Sequence, residues 1–551
     1  TWCTGEFTPC DPHEGRRLDG TCNNLIYPTR GGRHTPNVRL LPPEFEERRT
    51  KDGQELPLAR PARMAAVQDG RVSDQRFTQL LSYALIALTV NYVLWKPYCC
   101  VPQGKKDRDC VPNKIPEDDT VHQFSGIRCQ NMTRPQTFQS AGCVKNDTAP
   151  ERVSTFPSTP SFDLSGLYGS DLPKLKKARL LEGGWLKTEE ENGKIWPPSV
   201  KTPASVCLLN EKPRETRCHD LPEDGGNGLL GSNLFLIWLW RHHNFIATQL
   251  RLVNPCWDDE KLFQTARDLN IAYMMQIYFY EMSADLMGYD NLVREGVLSR
   301  TIIFLNTVVI DEEMYDSEGY YLKEIKMVNL TVRTGYLVDT LEFITQGAFR
   351  QPGGNIDDYV IDPDLGEKSL GPLQTILDVS TNDLAKNRYF GFAPYVKYKQ
   401  ICFGKQYKKF EDLQDTIDPV RVELLSQVYK HIEDIDLMAG MWLERRNYGS
   451  VAPTFYCLIV DQLKRTIMSD RHWYERPNRP NAFTLEQLLE IRKATMARLL
   501  CDVGDSVTEI QPKAFLRASP RNEMRSCDHI PKMDFSVWKD RTCDNKCSYP
   551  R

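Results

Sequence analysis

Cysteine is the residue that most constrains how this chain can fold. The 551-residue sequence contains 17 cysteines, spread from Cys3 to Cys547. Their spacing includes no CxxC pair followed by a second pair or by paired histidines, which disfavours a zinc site and favours disulfide bonds. Disulfide bonds persist in oxidising compartments, so the cysteines predict a secreted, extracellular protein.

Two further features agree with secretion. Three N-x-[ST] sequons, at Asn131, Asn146 and Asn329, are candidate glycosylation sites. The chain opens at Thr1-Trp2-Cys3 with no visible signal peptide, which is the form expected of a processed secretory product.

Charge and hydropathy exclude several partners. The formal net charge is −4, which predicts neither nucleic acid nor an anionic membrane surface as the partner. One apolar run, residues 80–95, has 16 residues, fewer than the ~20 that a spanning helix needs. We therefore predict a buried helix there and no membrane span.

Hydrophobic periodicity predicts a mainly α-helical fold with few short strands. Residues 1–75 are rich in Pro, Gly and Arg and are predicted to form an extended N-terminal arm of a single domain over 76–551. The predicted helices cover residues 76–95, 228–252, 260–288, 419–447 and 485–502, the last starting at Thr484. Residues 301–309 are the best strand candidate, although the same pattern fits a buried helix.

Seven stretches, taken in order, resemble the animal haem peroxidase family. They are LDGTCNNLIYPTRGG (18–32), LLPPEFEE (40–47), CC…C…IPEDD (99–119), FDLSGLYGSD (162–171), RHHNFIA (241–247), YKKFEDL (407–413) and HIPKMDFSVWKD (529–540). Their order and spacing span nearly the whole chain. The resemblance therefore implies the helical, disulfide-rich fold of that family.

The resemblance also implies a set of disulfide bonds. The implied pairs are Cys10–Cys22, Cys207–Cys218, Cys402–Cys457 and Cys501–Cys527, with Cys99 and Cys100 bonded to Cys110 and Cys129 in an order that stays open. The five cysteines left over are Cys3, Cys143, Cys256, Cys543 and Cys547. Because five is odd, at least one is either a free thiol or bonded to another chain.

The residues with which the family binds and activates haem are replaced here. Peroxidase chemistry needs an axial histidine on the iron, a distal base and a distal cation. The resemblance places the distal histidine at Thr89 and a haem-linking aspartate at Leu88. It places the catalytic arginine at Gly225 and a haem-linking glutamate at Gly228.

The proximal histidine is missing by simple count. It should lie between the arginine segment and the motif at 383–391, yet the sequence has no histidine between His243 and His431. The asparagine that opens this motif in the family is Asp383 here. Tyr315, Tyr320 and Tyr321 lie in the same interval and are alternative iron ligands, although surface packing is the favoured interpretation. We therefore expect no haem.

A calcium loop is partly kept. The side chains of Thr159, Asp163 and Ser165, with the carbonyl of Ser161, match the family's ligand loop. The remaining carboxylate ligand is replaced by Val90, which removes one charge and one oxygen. We expect a weak or vestigial calcium site.

These replacements lead to three alternative functions. The leading hypothesis is a secreted, non-catalytic pseudo-peroxidase that binds a protein partner or itself, with an interchain disulfide as one route. The first alternative is a haem-dependent redox enzyme with unusual iron ligation. The second is a carrier that holds an apolar small molecule where haem would lie. Under the leading hypothesis Phe235, Trp238 and Trp240 fill part of that space.

Overall fold

The structure is a computed structural model. It describes residues 8–36, 39–43, 49–89, 99–134, 137, 159, 162–200, 218–295, 311–326, 329–330, 334–354, 360–363, 367 and 378–543. Over these ranges the chain is mainly α-helical, as the sequence predicts.

Sixteen α-helices occur in the described ranges. They are α1 (Ala59–Ala66), α2 (Gln79–Thr89), α3 (Ser165–Tyr168), α4 (Leu172–Ala178), α5 (Leu230–Val253), α6 (Asp259–Gln276), α7 (Ser283–Met287), α8 (Tyr289–Arg294), α9 (Leu337–Arg350), α10 (Val379–Tyr389), α11 (Tyr395–Phe403), α12 (Pro419–Val428), α13 (Leu437–Leu443), α14 (Pro453–Ser469), α15 (Leu485–Ile491) and α16 (Met496–Val503). A π-helical segment, Ile277–Met282, joins α6 to α7.

The strands of the described ranges are short and form six two-stranded pairs. They are β1 (Gln68–Asp69), β2 (Ser73–Thr78), β3 (Asn113–Lys114), β4 (Cys129–Gln130), β5 (Glu189–Glu191), β6 (Lys194–Trp196), β7 (Glu312–Tyr315), β8 (Tyr321–Ile325), β9 (Pro352–Gly354), β10 (Val360–Ile361), β11 (Glu509–Ile510) and β12 (Arg525–Ser526). β1 pairs with β10 in parallel, and the other pairs are antiparallel.

Helix α5 is the centre of the larger of two hydrophobic cores. Its residues are buried on nearly all sides, which is typical of a helix enclosed by other elements. It packs against α2, α6 and α16. A second core forms around α1 and helices α10 to α13. No helix in the described part of the chain is long and apolar enough to cross a membrane.

The predicted helix boundaries hold in part. The helix predicted to start at Thr484 does so, because the Thr484 hydroxyl accepts from the Gln487 N–H in a capping box. The helix predicted over 76–95 starts at Gln79, since Ser73–Thr78 pairs with β9 as a strand. The single helix predicted over 419–447 is wrong: it ends at Val428 and α13 starts at Leu437.

A buried ion pair occupies the break between α12 and α13. Asp436, just ahead of α13, accepts from Arg388 at 2.7 Å and from the Tyr429 hydroxyl at 2.7 Å. The chain turns here because Asp436 contacts Arg388 on α10. Such a tertiary contact cannot be predicted from helical periodicity. The strand candidate at 301–309 lies outside the described residues.

The disulfide bonds match those that the resemblance implies. Cys10–Cys22, Cys402–Cys457 and Cys501–Cys527 are formed, and the open order becomes Cys99–Cys110 with Cys100–Cys129. A further bond, Cys256–Cys543, joins two cysteines that had no implied partner. Cys218 is also bonded, whereas Cys207, Cys3, Cys143 and Cys547 lie outside the described residues.

A buried ionic network joins α1 to two distant segments. The Arg60 guanidinium contacts Asp119 at 3.0 Å, Glu367 at 2.5 Å and Asp378 at 2.8 Å, and its side chain is 0% exposed. Asp378 also caps α10 by accepting from the Thr381 N–H. Because buried charges are costly unless fully paired, each member of this network depends on the others.

Replacing Arg60 with methionine removes the cation that Asp119, Glu367 and Asp378 share, and leaves Arg63 as the remaining guanidinium on Asp378. We expect the free energy of unfolding at neutral pH to fall by about 3–5 kcal/mol, measured by urea titration with tryptophan fluorescence. The matched control is Arg465→Ala, since the Arg465–Asp461 pair is 68% and 41% exposed and should contribute under about 1 kcal/mol. Equal losses in both variants would contradict a structural role for the network.

Candidate functional site

The candidate site lies where α2 meets α5, the two segments that the resemblance assigns to the haem cradle. The backbone of Gly231 on α5 lies directly against Tyr83 on α2: a Cβ at Gly231 would be 2.4 Å from the Tyr83 ring. Leu80, Leu81 and Leu85 of α2 are at most 1% exposed. α2 also packs against α9. The two cradle segments are therefore in direct contact.

Aromatic side chains fill the space beside this contact. Phe235 lies 5.5 Å from Trp238 and 6.2 Å from Tyr278, ring centre to ring centre. The Tyr278 hydroxyl donates to the Ala84 carbonyl on α2 at 2.8 Å. Phe235 and Tyr278 therefore link α5 and the π-helical segment to α2.

Trp240 projects from a different face of α5. It lies about 200° around the helix from Trp238, given 3.6 residues per turn. Its Nε1–H donates to the Lys187 carbonyl at 2.9 Å, on the side of α5 that faces β5.

The positions that the resemblance assigns to the catalytic arginine and the haem-linking glutamate lie in the turn that leads into α5. Gly225 is part of a 3₁₀ turn, Asp224–Asn227, and Gly228 is buried directly after it. The Asn227 amide holds this turn by exchanging two hydrogen bonds of 2.9 Å with the His219 backbone. Neither glycine can supply a cation or a haem link. The side chains of Leu88 and Thr89 are outside the described part of the structure.

A buried carboxyl lies behind the α2–α5 contact. The Tyr83 hydroxyl donates to Glu312 on β7, and both residues are at most 1% exposed. Burial raises the pKa of the Glu312 carboxyl to about 8, although hydrogen bonds from Tyr83 and Gln79 oppose the shift. Glu312 therefore stays protonated at neutral pH and ties α2 to the β7–β8 hairpin. No sequence motif pointed to this residue.

The histidines nearest the site are held as neutral structural groups. His243 Nε2–H donates to the Gly184 carbonyl at 2.9 Å and its Nδ1 accepts from the Tyr168 hydroxyl at 2.9 Å. His242 Nδ1–H donates to Asn270 Oδ1 at 2.7 Å. Burial lowers the pKa of His242 to about 4 and of His243 to about 3. With both nitrogens of His243 engaged, that ring is not free to bind a metal.

The three tyrosines named as alternative iron ligands belong to the β7–β8 hairpin. Tyr320 and Tyr321 are 71% and 55% exposed on the β7–β8 hairpin. The Tyr315 hydroxyl on the same hairpin donates to Glu313 at 2.5 Å. These three tyrosines therefore lie on a surface hairpin, as the favoured interpretation expects. Asp383 is half-buried on α10 and pairs with Lys386 at 3.3 Å.

The loop that the resemblance matches to a calcium site contains one buried carboxylate. Asp163 accepts from the Thr159 hydroxyl at 2.7 Å and from the Ser165 N–H at 3.0 Å. Ser161 and Val90 lie outside the described residues. Burial raises the pKa of Asp163, and the positive charges of Arg16 and Arg267 oppose that shift. One carboxylate already facing two guanidiniums is a poor fit for calcium, which prefers several anionic oxygens.

Two of the three sequons can be placed. Asn329 is exposed and can accept a glycan. Asn131 is a poor acceptor, because it is 5% exposed and its Oδ1 accepts from the Cys99 N–H at 2.6 Å. Asn146 lies outside the described residues.

Comparisons with known proteins agree with this architecture. A family model described as animal haem peroxidase matches residues 15–318 and 303–515. A Drosophila melanogaster protein named Peroxidase is 29% identical over 98% of this chain and 85% of its own length. The human protein named Probable oxidoreductase PXDNL is 27% identical over 96% of this chain but only 39% of its own length.

The fold is also shared with a solved structure. Peroxidase A from Dictyostelium discoideum superposes with a TM-score of 0.72 at 22% identity, covering 91% of this chain and 99% of that chain.

Replacing Glu312 with glutamine tests the buried carboxyl. The unfolded chain releases this proton near pH 4.5 and the folded protein near pH 8, so the contribution of Glu312 to stability falls as pH rises between those values. We expect E312Q to gain stability relative to the parent across that window, by at most about 1.4 kcal/mol per pH unit. The measurement is urea unfolding at a series of pH values.

Glu318→Gln is the control for this series, since Glu318 is exposed on the same hairpin. A difference between E312Q and the parent protein that does not change with pH would contradict the assignment of a buried, protonated carboxyl.

Proposed function

Because the chain belongs to the animal haem peroxidase family, in which catalysis requires bound iron, we propose that it is a non-catalytic member. In this proposal it is a secreted protein that uses the peroxidase fold as a structural or partner-binding scaffold. The observation that carries the proposal is the absence of any histidine between His243 and His431. An iron porphyrin in this fold would have no imidazole as its axial ligand.

The geometry of the candidate site supports the proposal. The contact of Gly231 with Tyr83 and the packing of α2 against α9 support the proposal, because both enclose the helix on which the distal histidine position would lie. Phe235 and Tyr278 fill the adjoining space with apolar contacts that an empty pocket would lack. The residues present at these positions therefore do not fit a haem.

Disulfide bonding supports the extracellular part of the proposal. All thirteen cysteines in the described ranges are bonded. Such density is typical of proteins from oxidising compartments and rare in the cytosol. Exposed Asn329 adds one position that a secretory glycan could occupy.

The competing function is a haem-dependent peroxidase with a different ligand set. The names of the relatives favour it, since the Drosophila relative is named Peroxidase and the human one Probable oxidoreductase. The carrier hypothesis has less support, since the aromatic packing around Phe235 takes up the space that an apolar ligand would need.

A test of haem binding distinguishes the proposed non-catalytic role from a haem-dependent peroxidase. The full chain, purified from a host supplied with a haem precursor and then titrated with haemin, should give no stoichiometric Soret band. It should also oxidise guaiacol no faster than free haemin does. A Soret band at one haem per chain together with guaiacol turnover would contradict the proposal.

Exposed histidines need a control in this titration. His13 and His529 are on the surface and can bind haemin adventitiously. The double variant H13A/H529A removes that contribution, so any haem that remains bound would have to be held within the fold.

Cysteine parity makes a second prediction for the 551-residue chain. Twelve of the thirteen bonded cysteines pair with each other, and Cys218 takes one partner from the four cysteines outside the described residues. Non-reducing electrophoresis with thiol labelling should therefore find either a dimer at twice the reduced mass or a monomer with a reactive thiol. A monomer with no reactive thiol would contradict the prediction that the odd cysteine is either free or bonded to another chain.

A further inference from the structure

An apolar loop protrudes between β3 and β4. We call residues 119–128 the Phe124 loop. Phe124 is 93% exposed, and the neighbouring Val121 and Ile127 are 44% and 36% exposed. A large aromatic side chain displayed this openly beside two further apolar residues is typical of a contact surface.

The Phe124 loop is anchored to the rest of the protein by ion pairs, hydrogen bonds and a disulfide bond. Asp119 at its start is paired with buried Arg60 at 3.0 Å, and His122 contacts Glu367 at 2.6 Å. Arg128 closes the loop by donating to the His122 carbonyl at 2.9 Å. Cys129, directly after the loop, is bonded to Cys100. Such a preorganised aromatic loses little conformational entropy when it docks.

The chain just ahead of the Phe124 loop is acidic. Glu117 and Asp118 are exposed and have no ion-pair partner among the described residues. Arg128 is the one cation within the loop, and its guanidinium is engaged by backbone carbonyls. Residues 117–128 therefore carry a net negative charge. This charge disfavours binding to an anionic membrane and favours a protein partner whose apolar surface is surrounded by basic residues.

A surface of that kind lies elsewhere on the same chain. We call Leu25, Ile26, Tyr27 and Met468 the Ile26 patch. Ile26 and Met468 are 79% and 77% exposed, and Leu25 and Tyr27 are 44% and 49% exposed. The Asn24 amide donates to the Ser469 carbonyl at 3.3 Å, which brings the loop alongside the end of α14.

The Ile26 patch is also preorganised and has basic residues at its edge. Asn24 Oδ1 accepts from the N–H groups of Ile26 and Tyr27 at 2.9 and 3.0 Å. Arg30 stacks over the Tyr27 ring at 3.8 Å, and Arg476 donates to the Met468 carbonyl at 3.1 Å. Neither guanidinium has a carboxylate partner within the part of the chain that the structure describes.

From this complementarity we infer that the Phe124 loop of one chain docks on the Ile26 patch of a second copy. The two surfaces lie on different parts of the chain. The Phe124 loop lies beside α1 in the second core, and the Ile26 patch lies beside the end of α14. Their exposure means that neither covers the other within one chain. An interface between two different surfaces is heterologous, so it adds chains head to tail and builds rings or filaments.

The partner of the proposed function is then a second copy of the same chain. The inference does not depend on whether haem binds, because neither surface is part of the candidate site. Failure of self-association would remove this inference alone, whereas a haem spectrum would remove the proposed non-catalytic role.

Sedimentation velocity with thiol-alkylated full chain tests the inference. The parent protein should form species larger than a dimer as concentration rises, and less so at high salt. F124S and I26S should each weaken association at least tenfold. An equal mixture of F124S and I26S should form a dimer and stop there, since the one intact loop and the one intact patch can meet only once.

Leu252→Ser is the matched control, because Leu252 is 71% exposed on α5 and belongs to neither surface. It should associate like the parent, and all variants should keep the parent's melting temperature. A monomeric parent, unchanged association of F124S, or a mixture that stays monomeric would each overturn the inference. So would binding to phosphatidylcholine or phosphatidylserine vesicles that F124S abolishes, since a lipid surface would then be the occupant.

Discussion

The centre of the fold depends on the close approach of α2 to α5, where the ring of Tyr83 lies on the backbone of Gly231. Only glycine permits that distance, since a side chain there would collide with the ring. The contact places the Tyr83 hydroxyl on the buried carboxyl of Glu312 and leaves the Ala84 carbonyl open to Tyr278. Together these interactions fix α2 against α5, β7 and the π-helical segment.

The chain keeps the fold of its family, and the proposed change is confined to the site. The disulfide bonds, the α5 and α6 pair and the loop around Asp163 hold the scaffold in its family form. The ionic network of Arg60 and the Arg388–Asp436 pair join α1, α10 and α13 within the second core. Such separation of scaffold from chemistry is expected, because function resides in site residues and not in the fold.

The sequence predicted features that depend on local pattern, such as the Thr484 cap and the helix at α5. The pairing of Cys10 with Cys22 came from the family resemblance. The sequence could not predict interactions between distant segments. Arg60 meets partners far along the chain, Cys256 bonds 287 residues away, and the burial of Asn131 follows from its contact with Cys99. The direction of Trp240 likewise depends on which neighbour each face of α5 meets.

The central claim is that side chains of the protein itself occupy the position of the cofactor. A crystal structure of the protein purified from its native source and soaked in haemin tests this claim most directly. The account predicts continuous side-chain density across the α2–α5 contact, with Tyr83 against Gly231. Porphyrin density between these helices, with its iron coordinated by any atom of the chain, would contradict it.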